Sequence, residues 1–308
     1  TETIGNDAVF FNDVNEYYWD GVPFNEGDRI IIPKSVKKVG RNPFAQCSVS
    51  IVNDSDYFTV ENGALYTSDK KTLICYFGCS HYFDIPEGVT QIGDRAFYHV
   101  YSIESIKLPL SLEYIGDDAF SMCKIDKVNI PANVKYIGKR AFRLCKNLSD
   151  VMLPNGLQII DDYAFSGCPI KTLEIPASVV SIGVNPFFSL PTVGRQIKVN
   201  SSSMLYEDDG NAIYSKNKRF LISYYSDKSF YKIPDSVTHI GKRAFYSQNI
   251  KQIEISNNLE FIGEEAFLFC FNQTGWKIDI IVTGNNDILI RDYLSKNKSL
   301  SKLNIVMV

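Results

Sequence analysis

A motif of 22 or 23 residues repeats four times between Ser105 and Phe187, and it constrains the fold more than any other feature of the sequence. Each copy carries a proline at the same position of the motif, and these prolines lie 22, 23 and 22 residues apart. The four prolines are Pro109, Pro131, Pro154 and Pro176. A fixed period of this length is typical of solenoids, in which one structural unit stacks on copies of itself. We therefore predict an elongated stack of coils.

Each copy is built from the same segments in the same order. It opens with apolar residues spaced as L-x-x-L-x-L, and this alternation predicts a short strand with one buried face, as at Ile125, Val128 and Ile130. Proline then ends the strand, because it has no N–H for the ladder. A V-x-x-I-G segment follows, and its glycine suits a turn with positive φ. Ala-Phe comes next, where the small alanine admits close backbone approach and the phenylalanine fills the coil.

A cysteine follows the phenylalanine by three residues in five copies. The five are Cys47, Cys123, Cys145, Cys168 and Cys270. A small residue that recurs at one position of a repeat indicates a buried column, so we predict buried free thiols at Cys123, Cys145 and Cys168. The chain has seven cysteines, an odd number, so at least one of them is unpaired within the chain. The number and positions of the cysteines therefore do not indicate whether the protein resides in an oxidising or a reducing compartment.

Charged residues stand two positions after the glycine, and their signs alternate between neighbouring copies. Arg95, Asp118 and Arg140 are the first three in the series. Because neighbouring coils bring these side chains together, we predict the exposed ion pairs Arg95–Asp118 and Asp118–Arg140. Each pair is expected to contribute at most about 1 kcal/mol.

Length and composition exclude several classes of protein. The 308 residues are 45% hydrophobic and 22% charged, which is ordinary for a chain with a buried core. The net charge of −3 offers no electrostatic argument for nucleic acid or an anionic membrane, and no apolar run approaches the length of a membrane-spanning helix. Residue 1 is Thr and no signal-like apolar segment is present, so we expect a trimmed chain.

The repeat is interrupted twice, each time after Asn-Pro-Phe replaces x-Ala-Phe. These tripeptides begin at Asn42 and Asn185. The two segments that follow match each other, since Tyr76 corresponds to Tyr224 and each segment holds two β-rich runs around a polar turn. We therefore predict β-hairpin insertions at about 58–80 and 204–228.

The repeat pattern predicts one solenoid domain over residues 29–282, with a cap at each end. Residues 1–28 are rich in aromatic side chains and lie outside the repeat, so we interpret them as an N-terminal cap, with a sticky exposed surface as the alternative. Residues 283–308 combine helical spacing of apolar residues with a final apolar strand, which predicts a C-terminal cap.

The motif I-P-x-x-V-x-x-I-G-x-x-A-F-x-x-C resembles the BspA-like branch of the leucine-rich repeat family, over roughly residues 29–282 and in eight copies. The resemblance implies an α/β repeat fold: a right-handed leucine-rich repeat solenoid with a parallel β-sheet on one face, short turns or helices opposite, and the two β-hairpins as insertions. It also implies a bacterial protein that is secreted or on the cell surface, since members of this branch are often linked to adhesion and host-protein binding.

Few residues suggest chemistry. Cys75, Cys79 and His81 form C-x3-C-x-H, for which metal binding and a Cys75–Cys79 disulfide are alternatives to ordinary packing, the interpretation that we favour. Adjacent carboxylates occur four times, and a glycosidase would need two carboxylates facing each other across a cleft. Three of the pairs recur in the turn after I-G or I-I, so we interpret them as solvated turn residues. The pairs are Asp117-Asp118, Asp161-Asp162, Asp208-Asp209 and Glu264-Glu265. We expect no catalytic residue, metal or cofactor.

The outward side chains of the predicted strands form the candidate binding surface. The residue between the last two apolar positions of each strand should face outward, together with the residue two positions earlier. The ladder has mixed charge, and two aromatic residues stand beside the insertions, a type enriched at interface hot spots. The candidate ligand-binding residues are Tyr82, Asp84, Lys107, Asn129, Met152, Glu174, Phe230 and Lys232.

These observations favour a non-enzymatic extracellular or cell-surface binding or adhesion protein that engages a protein or glycan of the host or of a neighbouring cell. Nucleic acid is not an expected partner, and this chain is not expected to insert into a membrane. A structural spacer within a larger surface protein is the alternative. A carbohydrate-active enzyme is the third hypothesis, and the weakest.

Overall fold

The computed structural model describes most of the chain. The described residues are 2–5, 18–19, 22–23, 29–44, 50–188, 196–245, 250–267, 278–282, 286–296 and 303–307. Cys47 and Cys270 lie outside these ranges, as does most of the predicted N-terminal cap.

The described residues form short strands and one helix. In chain order they are β1 Thr3–Ile4, β2 Tyr18–Trp19, β3 Val22–Pro23, β4 Arg29–Ile32, β5 Lys38–Val39, β6 Ser50–Asn53, β7 Phe58–Glu61, β8 Ala64–Thr67, β9 Thr72–Tyr76, β10 Tyr82–Asp84, β11 Gln91–Ile92, β12 Ser105–Lys107, β13 Tyr114–Ile115, β14 Lys127–Asn129, β15 Tyr136–Ile137, β16 Asp150–Met152, β17 Ile159–Ile160, β18 Thr172–Ile175, β19 Ser181–Ile182, β20 Gln196–Val199, β21 Tyr206–Asp208, β22 Ala212–Ser215, β23 Phe220–Tyr224, β24 Phe230–Lys232, β25 His239–Ile240, β26 Gln252–Ile255, β27 Phe261–Ile262, β28 Ile278–Val282, α1 Asp287–Lys296 and β29 Leu303–Met307.

The chain is a β-solenoid of stacked coils with little helix. The longer strand of each coil pairs in parallel with that of the next, in the groups β4–β6, β10–β12, β14–β16, β18–β20 and β24–β26–β28–β29. Strand β12 also lies beside β14, and β16 lies beside β18. We call these strands together the broad sheet. Its central residues, such as Ile106 and Val128, are buried between two exposed neighbours, as the alternation predicted.

A second parallel ladder joins the two-residue strands that hold the V-x-x-I-G segments. Its order is β9–β11–β13–β15–β17–β19, and β23–β25–β27 repeats the arrangement later in the chain. The predicted positive φ at the glycine is wrong, because positive φ occurs two residues later, at Arg95, Asp118 and Arg140. The glycine serves close approach instead: a Cβ at Gly116 would lie 2.7 Å from the backbone nitrogen of Asp94 in the preceding coil.

The third side of each coil is a stack of turns. The backbone N–H of Phe97 donates to the carbonyl of Ala119 at 2.7 Å, and those of Arg95 and His99 donate to the same neighbouring coil at 2.8 and 3.0 Å. Residues of these turns such as Arg95 and His99 have positive φ. Their backbone N–H groups therefore form hydrogen bonds with the neighbouring coil rather than within a helix. Among the described residues no helix is long and apolar enough to cross a membrane.

Two columns of side chains fill the core, as the repeat predicted. The phenylalanines of successive coils stack with ring centroids 5.0 to 6.1 Å apart, at Phe97, Phe120, Phe142, Phe165 and Phe187. The cysteine column runs beside them, and Cys123, Cys145 and Cys168 are buried free thiols. Both columns are covered on all sides by the coil, so neither presents reactive groups to a ligand.

Each of the two segments predicted as a hairpin holds three antiparallel strands, β7–β8–β9 and β21–β22–β23, which we call the meanders. The last strand of each meander then joins the parallel short-strand ladder. There Tyr76 and Tyr224 take the place of the repeat's phenylalanine, since their backbone N–H groups donate to Ala96 and Ala244 at 2.8 Å. The meanders therefore continue the solenoid as well as extending from it.

The Asn-Pro-Phe tripeptides connect coils across the meanders. Asn42 and Asn185 are buried with positive φ. The Asn185 side chain donates to the carbonyl of Arg243 at 2.6 Å and accepts from the Ser223 hydroxyl at 3.2 Å. The Asn42 carbonyl oxygen accepts from the Cys75 thiol at 3.0 Å. Asparagine suits this position because it tolerates positive φ and because its side-chain amide oxygen accepts a hydrogen bond in both tripeptides.

The last described elements extend the broad sheet. Strand β29 pairs in parallel with β28, and α1 connects them, where the spacing predicted a helix. Tyr293 of α1 packs edge-on against Phe267, with ring centroids 5.7 Å apart. The helix thus covers the last phenylalanine in the described part of the column, while the boundaries predicted for the caps stay predictions.

Candidate functional site

The exposed side of the broad sheet carries all eight candidate binding residues. Parallel register sets them in two rows, with Tyr82 opposite Ser105, Asp84 opposite Lys107, and Asn129 opposite Met152. Glu174 lies opposite Lys198 in β18 and β20. In the later coils Phe230 and Lys232 lie opposite Gln252 and Glu254. We call the exposed side of the sheet the sheet face. The binding role of these residues stays a prediction.

Charges on the sheet face are paired across neighbouring strands. The Lys107 ammonium lies 3.4 Å from the Asp84 carboxylate, and Lys232 lies 2.6 Å from Glu254. The hydrogen bond to Glu254 and the charge of this carboxylate raise the pKa of Lys232. Asn200 donates to Glu174 at 2.7 Å. These contacts are exposed, so they add little stability and are available for exchange with a partner.

Among the described residues of the sheet face, four large apolar side chains stand out from this polar background, at Ile31, Tyr82, Met152 and Phe230. Met152 is 62% exposed, and Tyr82 and Phe230 are about half exposed. Such residues are costly to leave in water and are the anchors that interfaces use. Tyr82 and Phe230 occupy the same position in the strand after each meander, so the sequence duplication places one aromatic residue beside each meander.

The residues of the C-x3-C-x-H motif do not come together in the structure. Cys75 is buried and donates to Asn42, whereas Cys79 is exposed, and both are free thiols, so the alternative disulfide is not formed. His81 lies 3.5 Å from the Glu104 carboxylate at the surface. In the described part of the chain, no three His, Cys, Asp or Glu side chains are arranged to hold a metal ion.

Every adjacent carboxylate accepts a hydrogen bond from the protein itself. Asp117 accepts from the Lys139 backbone at 2.9 Å, Asp161 from the Tyr136 hydroxyl at 2.8 Å, and Glu264 from Lys242 at 2.5 Å. Each of the other carboxylates in these pairs also accepts a hydrogen bond from another residue of the chain, namely Asp118, Asp162, Asp208, Asp209 and Glu265. Burial raises the pKa of Asp117. The three pairs in the turns connect one coil to the next, whereas Asp208 and Asp209 lie in the second meander. The expected solvation is wrong for Asp118, which is buried.

The predicted exposed ion pairs are wrong in one important respect. Asp118 is buried, only 7% exposed, and both of its oxygens accept from the Arg140 guanidinium at 2.9 to 3.1 Å. The Arg95 guanidinium lies over the ring of Tyr98, 4.7 Å from its centroid. Asp118 is covered because its turn lies between two neighbouring coils, which the sequence spacing alone does not reveal.

A second surface escaped the sequence analysis. The first residue of the Phe220-Leu221 pair and of the two-residue short strands forms its own exposed or half-buried column, and in the later coils it is aromatic, at Phe220, His239 and Phe261. An open groove lies beside this column. The sequence does contain a sign of this surface, because aromatic residues recur at one position of the repeat. Tyr114 and Tyr136 occupy the same position in earlier coils.

A family model for the BspA type leucine rich repeat region matches residues 74–193 and 223–306 in six copies, which is more than half of the chain. No curated protein matches the sequence. The remaining comparisons are therefore with solved structures.

Several solved structures of bacterial proteins are similar in fold. The pneumococcal vaccine antigen PcpA aligns at 22% identity with a TM-score of 0.55, over 79% of this chain and 58% of that protein. A leucine rich cell surface protein of Faecalibacterium prausnitzii aligns at 19% identity with a TM-score of 0.51, over 82% of this chain and 95% of that one. A leucine-rich repeat protein of Bacteroides ovatus aligns at 23% identity with a TM-score of 0.50, over 99% and 69%. At these identities the likeness shows the fold alone.

Proposed function

The chain belongs to the BspA type leucine-rich repeat family, and we propose that it is a binding or adhesion protein, secreted or at the bacterial cell surface, that engages a partner through the sheet face. One observation carries the proposal. The sheet face presents paired, exchangeable charges around the exposed anchors Tyr82, Met152 and Phe230. Repeat proteins use extended surfaces of this kind to bind partners.

The anchors and the mixed charges favour a protein partner on this face. Rows of alternating sign, such as Asp84 beside Lys107, complement a surface that also carries both signs. Met152 is unbranched and flexible, so it adapts to an apolar partner surface. The meanders stand directly before β10 and β24 in the chain, and we include them at the edges of the binding surface.

The location rests on the names of the structural relatives. One is named a vaccine antigen and another a cell surface protein, and both share the solenoid fold. The chain spans 58% of the length of the pneumococcal antigen, so an activity of that whole protein is carried over here only as part of the proposal.

The proposed role is non-enzymatic. The acidic pairs that would be the first candidates for hydrolytic catalysis all accept hydrogen bonds from the protein itself, with Asp118 held by Arg140 and Asp161 by Tyr136. A glycosidase needs one free carboxylic acid and one free carboxylate facing each other across a substrate cleft. The engaged pairs therefore support a binding role over hydrolysis.

The test is a screen of immobilised extracellular host proteins and glycans with the wild-type chain, followed by affinity measurements with Met152→Glu. We expect Met152→Glu to weaken binding at least about tenfold, since a charge would be buried at the interface. Leu110→Glu is the matched control, because Leu110 is also highly exposed but lies in the turn after Pro109, outside the broad sheet. Equal loss in both variants would contradict the proposal. Absence of any ligand across the screen would favour the spacer.

A further inference from the structure

The later coils carry an exposed aromatic strip on the short-strand ladder, away from the broad sheet. The rings of Phe220, His239 and Phe261 stack in that order, with centroids 5.1 and 5.8 Å apart and planes inclined by 21° and 34°. Phe220 is 41% exposed and Phe261 is 50% exposed. Nothing in the repeat requires phenylalanine here, since the corresponding residues of other coils include Gln91 and Ser181. The strip is thus an apolar surface that the fold itself does not use.

An open groove of about 510 Å³ runs beside the strip. Its lining includes the residue that precedes each ring, namely Arg219, Thr238 and Glu260, together with Asp235 and Asn257 from the turns that follow β24 and β26. Backbone hydrogen bonds between coils hold this column in line, with Thr238 N–H donating to Arg219 and Glu260 N–H to Thr238 at 2.9 and 2.8 Å. The groove and the strip are therefore one surface built from three successive coils.

The charged groups of the groove are available for a ligand. In the described part of the chain, Arg219, Asp235 and Glu260 form no ion pair with one another or with a neighbour, although other charged residues of these coils do, such as Lys242 with Glu264. All three are exposed. The groove thus offers one guanidinium, two carboxylates and an amide, which are planar groups able to bond two ligand atoms at once.

We propose that this surface binds a neutral oligosaccharide. Each sugar hydroxyl both donates and accepts, so neighbouring hydroxyls satisfy the carboxylates and the guanidinium together. Two carboxylates disfavour an acidic chain, and the guanidinium disfavours a cationic one. The C–H face of a pyranose ring is apolar and covers exposed aromatic carbon. Because the rings recur once per coil, a chain of sugars running across the coils meets one ring after another.

The test uses calorimetric titration of the chain with cellohexaose, maltohexaose and mannohexaose, and with an oligogalacturonate as the acidic comparison. We expect at least one neutral hexaose to bind, and the oligogalacturonate to bind more weakly or not at all. Phe261→Ala and Glu260→Gln are each expected to weaken binding by about tenfold. Glu260→Gln keeps the size and the exposed position, so its result stands even if Phe261→Ala perturbs folding, which thermal unfolding of both variants reports.

Leu110→Glu, in the exposed turn after Pro109 and outside both the sheet face and the groove, is the control, and it is expected to leave the oligosaccharide affinity unchanged. The two proposals stay separable, since Met152→Glu tests the sheet face whereas Phe261→Ala and Glu260→Gln test the groove. The inference is overturned if no neutral hexaose binds, if the acidic oligosaccharide binds as tightly, or if both groove variants retain full affinity.

Discussion

Asp118 and Gly116 illustrate how neighbouring residues of one repeat divide their tasks. Gly116 lets two coils approach to within van der Waals distance, while Asp118, two residues later, takes the positive φ of 53° and turns its carboxylate toward Arg140. The same geometry recurs later, where Glu265 takes positive φ and accepts from Arg243. At these two junctions, neighbouring coils are therefore bound by one buried or half-buried ion pair in addition to their backbone ladders.

Replacing Asp118 by Asn should destabilise the chain more than an exposed pair would. Asn tolerates positive φ and keeps the shape, so the change removes mainly the charged hydrogen bonds, and we expect the free energy of unfolding to fall by about 1.5 to 3 kcal/mol. Denaturant unfolding at low and high salt should give the same loss. Glu264→Gln is the control, since the Lys242–Glu264 pair is exposed; its loss should stay below about 1 kcal/mol and shrink with salt. A small, salt-dependent loss for Asp118→Asn would contradict the burial.

The cysteine column should be protected until the chain unfolds. Each thiol donates to the carbonyl of a phenylalanine in the preceding coil, with Cys123 to Phe97 and Cys145 to Phe120 both at 3.0 Å. Burial raises the pKa of Cys123 and Cys145, which lowers the thiolate fraction that reacts. With iodoacetamide and peptide mass spectrometry, we expect labelling of exposed Cys79 in the native chain, and of the column only after denaturation without reductant. A requirement for reductant would show disulfides instead.

Substitutions at Cys145 test the same column through stability. Cys145→Ala removes little volume and should cost about 1 kcal/mol, whereas Cys145→Asp should cost several kcal/mol, because an ionisable group would be buried without a partner. Chemical denaturation of the two variants measures the difference. Similar losses in both would mean that the side chain reaches solvent.

At the scale of elements, the two meanders share a backbone but differ in their polar interior. In the second meander, the hydroxyl groups of Tyr214 and Tyr231 contact each other, and both donate to the Asp209 carboxylate. In the first, Phe83 replaces the partner tyrosine, and the buried hydroxyl of Tyr66 finds no hydrogen-bond partner among the residues that the structure describes. A buried hydroxyl without a partner is costly, while one within a satisfied network is favourable.

The substitutions Tyr66→Phe and Tyr214→Phe should therefore differ in their effect on the free energy of unfolding, and only Tyr214→Phe should lower it. Removing the Tyr66 hydroxyl is expected to leave the free energy of unfolding unchanged or to raise it by about 1 kcal/mol. Removing the Tyr214 hydroxyl should lower it by about 1 to 3 kcal/mol, because the bond to a charged acceptor is lost. Denaturant midpoints of the two variants provide the measurement. A clear loss for Tyr66→Phe would mean that its hydroxyl is hydrogen-bonded after all.

Asp209 should make the second meander sensitive to acid. Burial alone would raise its pKa, but hydrogen bonds from Tyr231, Ala212 and Asn211 outweigh it and hold the pKa below its usual value. The group thus stabilises the fold above its unfolded pKa of about 4, and this stability is lost as the pH falls through the lower folded pKa. Asp209→Asn should flatten the decline in unfolding free energy below about pH 4. An unchanged slope would exclude Asp209 as a contributor.

At the scale of the whole molecule, duplication explains both the meanders and the way in which the two halves are joined. Asn185 reaches the carbonyl of Arg243, and the Arg243 guanidinium donates to the Tyr163 hydroxyl at 2.6 Å, so side chains from both sides of the second meander meet. The phenylalanine column, interrupted by each meander, resumes with Tyr76 and Tyr224, stacked on Phe97 and Phe245.

A continuous stack predicts an elongated particle in solution. With strands about 4.8 Å apart, the broad sheet should measure roughly 45–60 Å along its axis. Small-angle scattering should give a single elongated envelope of this length. A compact particle or two separate globules would contradict the stacking of the coils.

Several features of the fold followed from the sequence because each depends on the repeat period and on the side chain itself. Apolar alternation identified the buried face of strands such as β12 and β14, and recurrence at fixed positions identified the Phe97 and Cys123 columns. The repeat period predicted the solenoid, and the family resemblance identified it as a leucine-rich repeat. The outward residues of the sheet face were also placed correctly, since a strand exposes alternate side chains whatever surrounds it.

The tertiary structure decided whatever depends on the neighbouring coil. Gly116 was interpreted as a turn with positive φ, but the approaching backbone of Asp94 is what requires glycine there. Asp118 was expected at the surface, yet the next coil covers it, and the third strand of each meander became part of the short-strand ladder. The groove at Arg219 and Glu260 needs three coils at once. A repeat period specifies what recurs along the chain, whereas burial and binding surfaces arise only where separate coils come into contact.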